Sequence, residues 1–422
     1  MTLITSLDWK IKDEPIMQSS MDLDTYKITM GQLIFAHHPN VPILSGLMNR
    51  TKSVNLADHI SKEELKEQLD HARTLRFTNS ELHYLRGMNE YKDRMFSEDY
   101  LQFLKAYQLP SYELSYKKRN LSLGFPGKWT KSTYWETVGL SIIAELFTRS
   151  QVRKLSQKER NAIISKGLRK LYRKIKLLKQ YPGITISDFT TRRRAFREWH
   201  ELVVSILKAE LPGQFLGTSN LKIAMDQDLL AMGTNAHELQ MVYSRLFGTT
   251  DEAIRYSPQR LNMDWWNMYG EALALHLPDT FGTDAYLRDM SFEAALRSKG
   301  FRQDSGDPIA FGEKVIAFYK KYGIDPREKM IVFSDGLDVE TIIKIYLHFE
   351  GRIKTTYGWG TNLGNDLGLQ VLSIVIKILM ANGLPTVKLP DNLSKAMGPV
   401  ETQKEYIRIF DYHTTFMQEC KY

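Results

Sequence analysis

Five short polar stretches hold most of the groups in this chain that could do chemistry, and each directly follows an apolar run with strand character. They are Asp188-Phe189-Thr190-Thr191-Arg192-Arg193-Arg194, Gly217-Thr218-Ser219-Asn220, Arg302-Gln303-Asp304-Ser305-Gly306-Asp307-Pro308, Ser334-Asp335-Gly336-Leu337-Asp338 and Gly358-Trp359-Gly360-Thr361. Guanidinium groups meet phosphate oxygens as a planar fork, small hydroxyls donate single hydrogen bonds, and glycines bare their amides to an anion. Aspartates suit sugar hydroxyls or a magnesium ion. Together these types fit a phosphorylated sugar. Polar loops at the carboxyl ends of successive strands are also how a β/α barrel assembles an active site. The chain therefore reads first as an enzyme.

The elements that must hold these loops follow from periodicity. Residues 24–35 read as a helix, 41–47 as a strand, and 62–69 and 79–106 as largely helical. Residues 114–129 read as strands with a turn at Gly124-Phe125-Pro126-Gly127. Beyond about 133 the pattern becomes strand–loop–helix. Residues 300–302, 329–333 and 353–357 are strands, Asp307 and Asp338 are helix N-caps, and a helix spans 339–349. Such units favour parallel strands with right-handed crossovers. Residues 373–380 and 386–389, joined at Asn382-Gly383, read as a β-hairpin. The expected organisation is an N-terminal α+β domain over 1–132, completed by the hairpin region 371–422, and an α/β barrel over 133–370.

A chain of 422 residues with 43% hydrophobic content can bury a large core. The net charge of +8 is modest, and much of it lies in 153–179. There Lys and Arg alternate with Ile164, Leu168, Leu171, Ile175 and Leu178, the pattern of an amphipathic helix with a solvated face. An electrostatic funnel for polyanionic substrates is the sharper reading of the same residues. No nucleic-acid-binding motif accompanies the charge, so nucleic acid is not an expected partner. Cys420 is the only cysteine, which excludes an internal disulfide or a cysteine metal cluster. Residues 1–14 lack the apolar core of a secretory signal, and the apolar stretch 371–384 is too short to span a bilayer. A cytoplasmic location without membrane attachment is expected.

The string Asp24-Thr25-Tyr26-Lys27-Ile28-Thr29-Met30, followed by His37-His38-Pro39, resembles the N-terminal signature of nicotinate phosphoribosyltransferases. In the same order come the loops at 188–194 and 215–220, Met232-Gly233-Thr234-Asn235-Ala236-His237-Glu238, Asp279-Thr280-Phe281, Asp284 to Asp289, Asp304 to Pro308, Phe333-Ser334-Asp335, Gly358 to Thr361 and Ile374-Val375-Ile376-Lys377. The resemblance implies the type II phosphoribosyltransferase fold, an irregular β/α barrel with an N-terminal α+β domain packed on it. It implies that nicotinate and phosphoribosyl pyrophosphate give nicotinate mononucleotide and pyrophosphate, driven by ATP hydrolysis. The implied cofactor is Mg²⁺, held through the pyrophosphate with Asp304 as a candidate ligand. The implied assembly is a homodimer with shared active sites.

The same resemblance assigns roles. Phe189 and Tyr26 sandwich the pyridine ring, with Tyr26 from the neighbouring subunit; packing in the core is the ordinary role of such residues. Arg192 and Arg302 bind phosphate and pyrophosphate, where a solvated charge is the bland alternative. Asp279 and Asp304 contact ribose hydroxyls or a magnesium-bound water, unless they only cap turns. Gly336, Gly360 and Thr361 approach the 5′-phosphate, and Gly217 and Thr218 complete the substrate-binding set. Ser219 stands where relatives that use nicotinamide carry an acid, so it favours nicotinate; it could equally open a helix reaching about 230. His237 is the histidine phosphorylated by ATP, although a lone histidine is more often structural.

Two positions depart from the family pattern. Thr190 replaces a glycine, which would be strained if that glycine has positive φ. Leu47-Met48-Asn49-Arg50 keeps only Arg50 of an Phe-Arg-x-Arg string. The alternatives are a nicotinamide-using enzyme and a catalytically silent barrel that binds phosphoribosyl compounds.

Overall fold

The computed structural model describes residues 14–90, 93–117 and 120–419. The readings made of the first 13 residues and of Cys420 fall outside these. Seven parallel strands curl into a half-barrel. Their spatial order is Leu230–Ala231, Phe215–Thr218, Ile186–Asp188, Lys354–Trp359, Met330–Phe333, Gly300–Gln303 and Leu275–His276. Phe301, Ile331, Phe333, Tyr357 and Trp359 are fully buried along them, which is why these runs read as near-continuous apolar strands. Helices return over the outer face, among them Arg197–Glu210, Pro308–Lys321 and Val339–Phe349. Asp307 accepts from the Ala310 amide and Asp338 from the Thr341 amide, each at 2.7 Å, so both expected caps form. A cap of this kind is worth about 1 kcal/mol. All five polar loops leave the carboxyl ends of the strands, and so face the same way.

A second, antiparallel sheet has the order Leu384–Pro385, Ile374–Ala381, Pro42–Asn49, Asn120–Lys128 and Glu113–Lys117. The C-terminal strand thus pairs with the N-terminal one, from Ile43 opposite Ala381 to Asn49 opposite Ile374. Asn382 (φ 52°) and Gly383 (φ 77°) make the expected two-residue turn, since both central positions of such a turn need positive φ. The expected return strand over 386–389 does not form. Regular pairing ends at Leu384–Pro385, with one further backbone bond from the Thr386 amide to the Leu379 carbonyl, and Lys388 instead bridges to Met397 and lines the cavity at the half-barrel loops.

Two further expectations are corrected. Gly124 to Gly127 is not a turn but lies inside the strand Asn120–Lys128, with Pro126 opposite Leu44. Gly127 has φ 148°, and a Cβ there would meet the Ser132 hydroxyl at 2.6 Å, so close approach explains that glycine. The helical stretch expected over 79–106 is two helices, Asn79–Gly87 and Glu98–Lys105, with a short hairpin between them. Ser97 opens the second by accepting from the Tyr100 amide.

The basic stretch forms the helix Gln157–Leu178, with Ile164, Leu168, Leu171, Ile175 and Leu178 buried as its spacing predicts. Its cations reach barrel carboxylates: Lys170 and Lys174 pair with Asp366, and Arg173 with Glu340. The helix Trp135–Val152 is buried from Trp135 through Thr148: its apolar side chains join the core of the antiparallel sheet, while Ser141 donates to the Thr191 carbonyl and Glu145 meets Arg194 of the half-barrel loop. Among the described residues, no helix is long and apolar enough to cross a membrane.

Candidate active site

The strand-end loops converge on a cavity of about 130 Å³. Of the residues named from sequence, Tyr26, Arg50, Phe189, Arg192, Ser219, His237, Arg302, Asp304, Gly336, Gly360 and Thr361 line it. Gly217, Thr218 and Asp279 stand one layer back. A Cβ on Gly217 would lie 2.2 Å from the Leu230 carbonyl oxygen, so this glycine serves strand packing. The Thr218 hydroxyl donates to Asp188 at 2.6 Å.

Two of the lining residues are aromatic, Tyr26 and Phe189. The Phe189 ring covers Gly358, where a Cβ would come within 2.3 Å of it. Tyr26 begins the helix Tyr26–His37 and reaches the cavity from the same chain as Phe189. The Arg192 guanidinium sits 5.6 Å from the Tyr26 ring centre, a cation–π contact.

Ser219 is not the helix cap. Asn220 accepts from the Ile223 amide and opens a helix, Leu221–Asp226, that ends well short of 230. The Ser219 hydroxyl instead donates to Asp24 at 2.6 Å. Asp24 was not anticipated as a site residue, although it stands two residues before Tyr26. Burial raises its carboxyl above the usual range, opposed chiefly by Arg192, whose Nε is 3.3 Å away.

The three consecutive arginines divide. Arg192 and Arg193 line the cavity, whereas Arg194 is fully buried and makes two bonds to Asp22, at 2.7 and 2.8 Å. Thr190 adopts an ordinary helical conformation (φ −79°, ψ −27°), so the strain feared there is absent. Its hydroxyl donates to the Gly360 carbonyl at 3.2 Å. Arg302 donates to the Asn235 carbonyl at 2.9 Å, and its buried Nε has no hydrogen-bond partner among the described residues. Gly336 has φ 60° in open space, so backbone conformation rather than crowding calls for glycine.

His237 starts the helix His237–Tyr243. Its Nδ1 is 2.9 Å from the Thr280 hydroxyl and its Nε2 is 2.8 Å from Asp304 Oδ2 and 3.6 Å from Asp279 Oδ1. Burial, with Lys388 adding, pushes the imidazole pKa down to about 4 against the pull of Asp279 and Asp304. Burial opposes ionisation of Asp304 too, but the His237 hydrogen bond and Arg302 outweigh it and hold that carboxyl well below its usual range. The pair is therefore a neutral imidazole on a carboxylate.

Three lysines also line the cavity and were missed as site residues: Lys377, Lys388 and Lys395. Lys388 Nζ is 3.7 Å from Asp279, and Lys395 is paired with Asp335 at 2.5 Å. Burial pushes the Lys388 ammonium down to about 8. A lysine inside the apolar strand Ile374–Ala381 was a usable signal for Lys377; nothing local marks the other two.

The donor atoms of His237, Asp279 and Asp304 lie within 4.8 Å of one another, close enough to share a cation. Asp279 Oδ1 is buried with no hydrogen-bond partner among the described residues. Oxygen donors suit magnesium, but Lys388 already faces Asp279, which leaves Asp304 as the better-placed ligand.

Two family models match the chain. The nicotinate phosphoribosyltransferase N-terminal domain matches residues 21–144, and the nicotinate phosphoribosyltransferase family matches residues 184–414. Among solved structures, the chain is similar to a nicotinate phosphoribosyltransferase from Vibrio cholerae, at 30% identity, TM-score 0.84 and 95% coverage of both chains. It is similar to one from Porphyromonas gingivalis, at 27% identity and TM-score 0.84, over 94% of this chain and 100% of that one. A putative nicotinate phosphoribosyltransferase from Saccharomyces cerevisiae matches at 28% identity and TM-score 0.83, over 95% of this chain and 99% of that one. With both family models placed over this fold and this cavity, the chain belongs to the nicotinate phosphoribosyltransferase family.

Proposed function

We propose that this protein transfers the phosphoribosyl group of phosphoribosyl pyrophosphate to nicotinate, with ATP driving the exchange through a phosphorylated His237, as a step of NAD biosynthesis. The observation that carries the reading is one cavity lined by Tyr26, Phe189, Arg192 and Arg302 and holding the His237–Asp304 hydrogen bond of 2.8 Å. The pyridine nitrogen attacks the anomeric carbon with its own lone pair as the bond to pyrophosphate breaks, so no strong base is needed. Tyr26 and Phe189 hold the ring, while Arg192 and Arg302 bind the phosphates and stabilise the leaving charge.

In the coupling step, His237 Nε2 faces the cavity through Asp304. It takes the terminal phosphoryl group of ATP as the bond to ADP breaks, and its proton passes to the Asp304 carboxylate. The Thr280 hydroxyl donates to Nδ1 throughout and fixes the ring. Mg²⁺ would be held by Asp304 together with pyrophosphate oxygens and would neutralise their charge. A homodimer in the cytoplasm is the expected setting.

Asp24 supports a second reading. Its carboxylate adjoins Ser219 and could accept from the amide of nicotinamide; Arg192 beside it offsets that preference. The test is turnover of nicotinate and nicotinamide side by side, with and without ATP, in wild type and His237→Ala. Nicotinate turnover that ATP stimulates only in wild type supports both parts of the proposal. A preference for nicotinamide overturns the substrate. Ligand binding without any turnover means a silent barrel.

A further inference from the structure

Glu136 lies in the first turn of the helix Trp135–Val152, with a side chain 4% exposed, and does not itself line the cavity. Three groups that do line it converge on its two oxygens. Lys377 Nζ is 3.3 Å and Arg192 Nη1 3.6 Å from Oε1, and the Tyr26 hydroxyl donates to Oε2 at 3.3 Å. Lys27 anchors the carboxylate from behind. It is fully buried, with Nζ 2.7 Å from Glu136 Oε2 and 2.6 Å from Glu238 Oε2. Glu238 is held in turn by the Trp129 indole at 2.7 Å and the Thr133 hydroxyl at 2.6 Å. These groups come from separate helices, a strand-end loop and the C-terminal strand, so local sequence alone does not bring them together.

From this convergence we infer that Glu136 is a positioning residue for phosphoribosyl transfer, fixing the direction in which Lys377 and Arg192 present their charge and bracing the Tyr26 ring. The inference rests on the reaction proposed above. Long cationic side chains lose much freedom on meeting an anion, and a buried counter-charge sets their direction before the substrate arrives. Lys27, Lys377 and Arg192 face Glu136, Glu238 and Asp24, so the array is balanced without substrate.

The array also supplies a readout that a purely structural role would not move. Burial lowers the Lys377 ammonium below its usual range. Glu136 is the main group opposing that, Asp304 adds to it, and Arg192 and Lys27 act against it. Glu136→Gln removes the support, so Lys377 gives up its proton at lower pH.

The experiment follows kcat and KM for both substrates from about pH 6 to about pH 10 in full-length wild type, Glu136→Gln and Glu136→Gln/Lys377→Arg. Glu136→Gln should raise KM for phosphoribosyl pyrophosphate by about tenfold with kcat changed less, and move the alkaline limb to lower pH by about one unit. Adding Lys377→Arg should return the limb to the alkaline side, because a guanidinium keeps its proton. A wild-type KM and limb in Glu136→Gln, or a shifted limb that Lys377→Arg leaves in place, overturns the inference. If circular dichroism shows that Glu136→Gln does not fold, Glu136→Asp takes its place. It should raise KM without moving the limb, and an unchanged KM overturns the inference. If wild type turns over neither substrate, the proposed reaction has failed instead. Calorimetric binding of inorganic pyrophosphate then decides on Glu136: weaker binding in the variant supports it and equal binding overturns it.

Discussion

At the scale of single residues, the proposed nucleophile is governed by where it is buried. His237 titrates near 4 in the folded chain and near 6.5 in an unfolded one, so between those values the unfolded state binds the extra proton. Stability contributed by the neutral imidazole is complete above about pH 6.5 and falls as pH drops toward about 4, by up to about 3 kcal/mol. Urea midpoints of wild type should decline across that window more steeply than those of His237→Gln; parallel curves would mean the imidazole is not held neutral. His276 is pushed down to a similar value by its own burial, so the difference between the two proteins, not the slope of either, isolates His237. Asp279 and Asp304 lose their contribution only at lower pH, because both carboxyls are held below their ordinary values. For the same reason, the acid limb of ATP stimulation should lie nearer pH 4 than pH 6.5.

At the scale of elements, the strand-end loops were legible because polar residues directly after a buried strand break the apolar run abruptly. Asp307-Pro308 and Asp338 announced their helices by the same local chemistry, and both caps formed. The misreadings also have local causes. Gly124 to Gly127 has turn composition but is used for close packing within a strand, and Ser219 gave up the cap to Asn220 because its hydroxyl is engaged by Asp24. Lys388 and Lys395 were illegible because their placement depends on the chain leaving the hairpin early, which pairing alone decides. Close packing also gives a direct test of the aromatic slot. A Cβ at Gly358 would press within 2.3 Å of the Phe189 ring. Overpacking of this kind costs about 1–3 kcal/mol. Gly358→Ala should therefore raise KM for nicotinate by about tenfold with less effect on phosphoribosyl pyrophosphate. An unchanged nicotinate KM would remove Phe189 from the ring-binding role.

At the scale of the whole molecule, the cavity is assembled from three distant parts of one chain. Asp24, Tyr26 and Arg50 come from the N-terminal segment, Phe189 through Thr361 from the half-barrel loops, and Lys377, Lys388 and Lys395 from the C-terminal segment that completes the antiparallel sheet. Sequence names most of these residues, and the family resemblance assigns Tyr26 to the neighbouring subunit, whereas Tyr26 here lines the cavity of its own chain. The distinction has a simple consequence. Tyr26→Ala removes one wall of the slot and His237→Ala removes the proposed phosphoryl acceptor, so each should be impaired alone. If sites were shared across a two-fold interface, mixing and re-equilibrating the two variants would give hybrid dimers with one intact site each. Activity would then recover to about a quarter of wild type. With both residues drawn from one chain, no hybrid contains an intact site. The mixture should show only the summed residual activity of its parts, whether or not the chain forms dimers, and complementation would place Tyr26 in the partner's cavity.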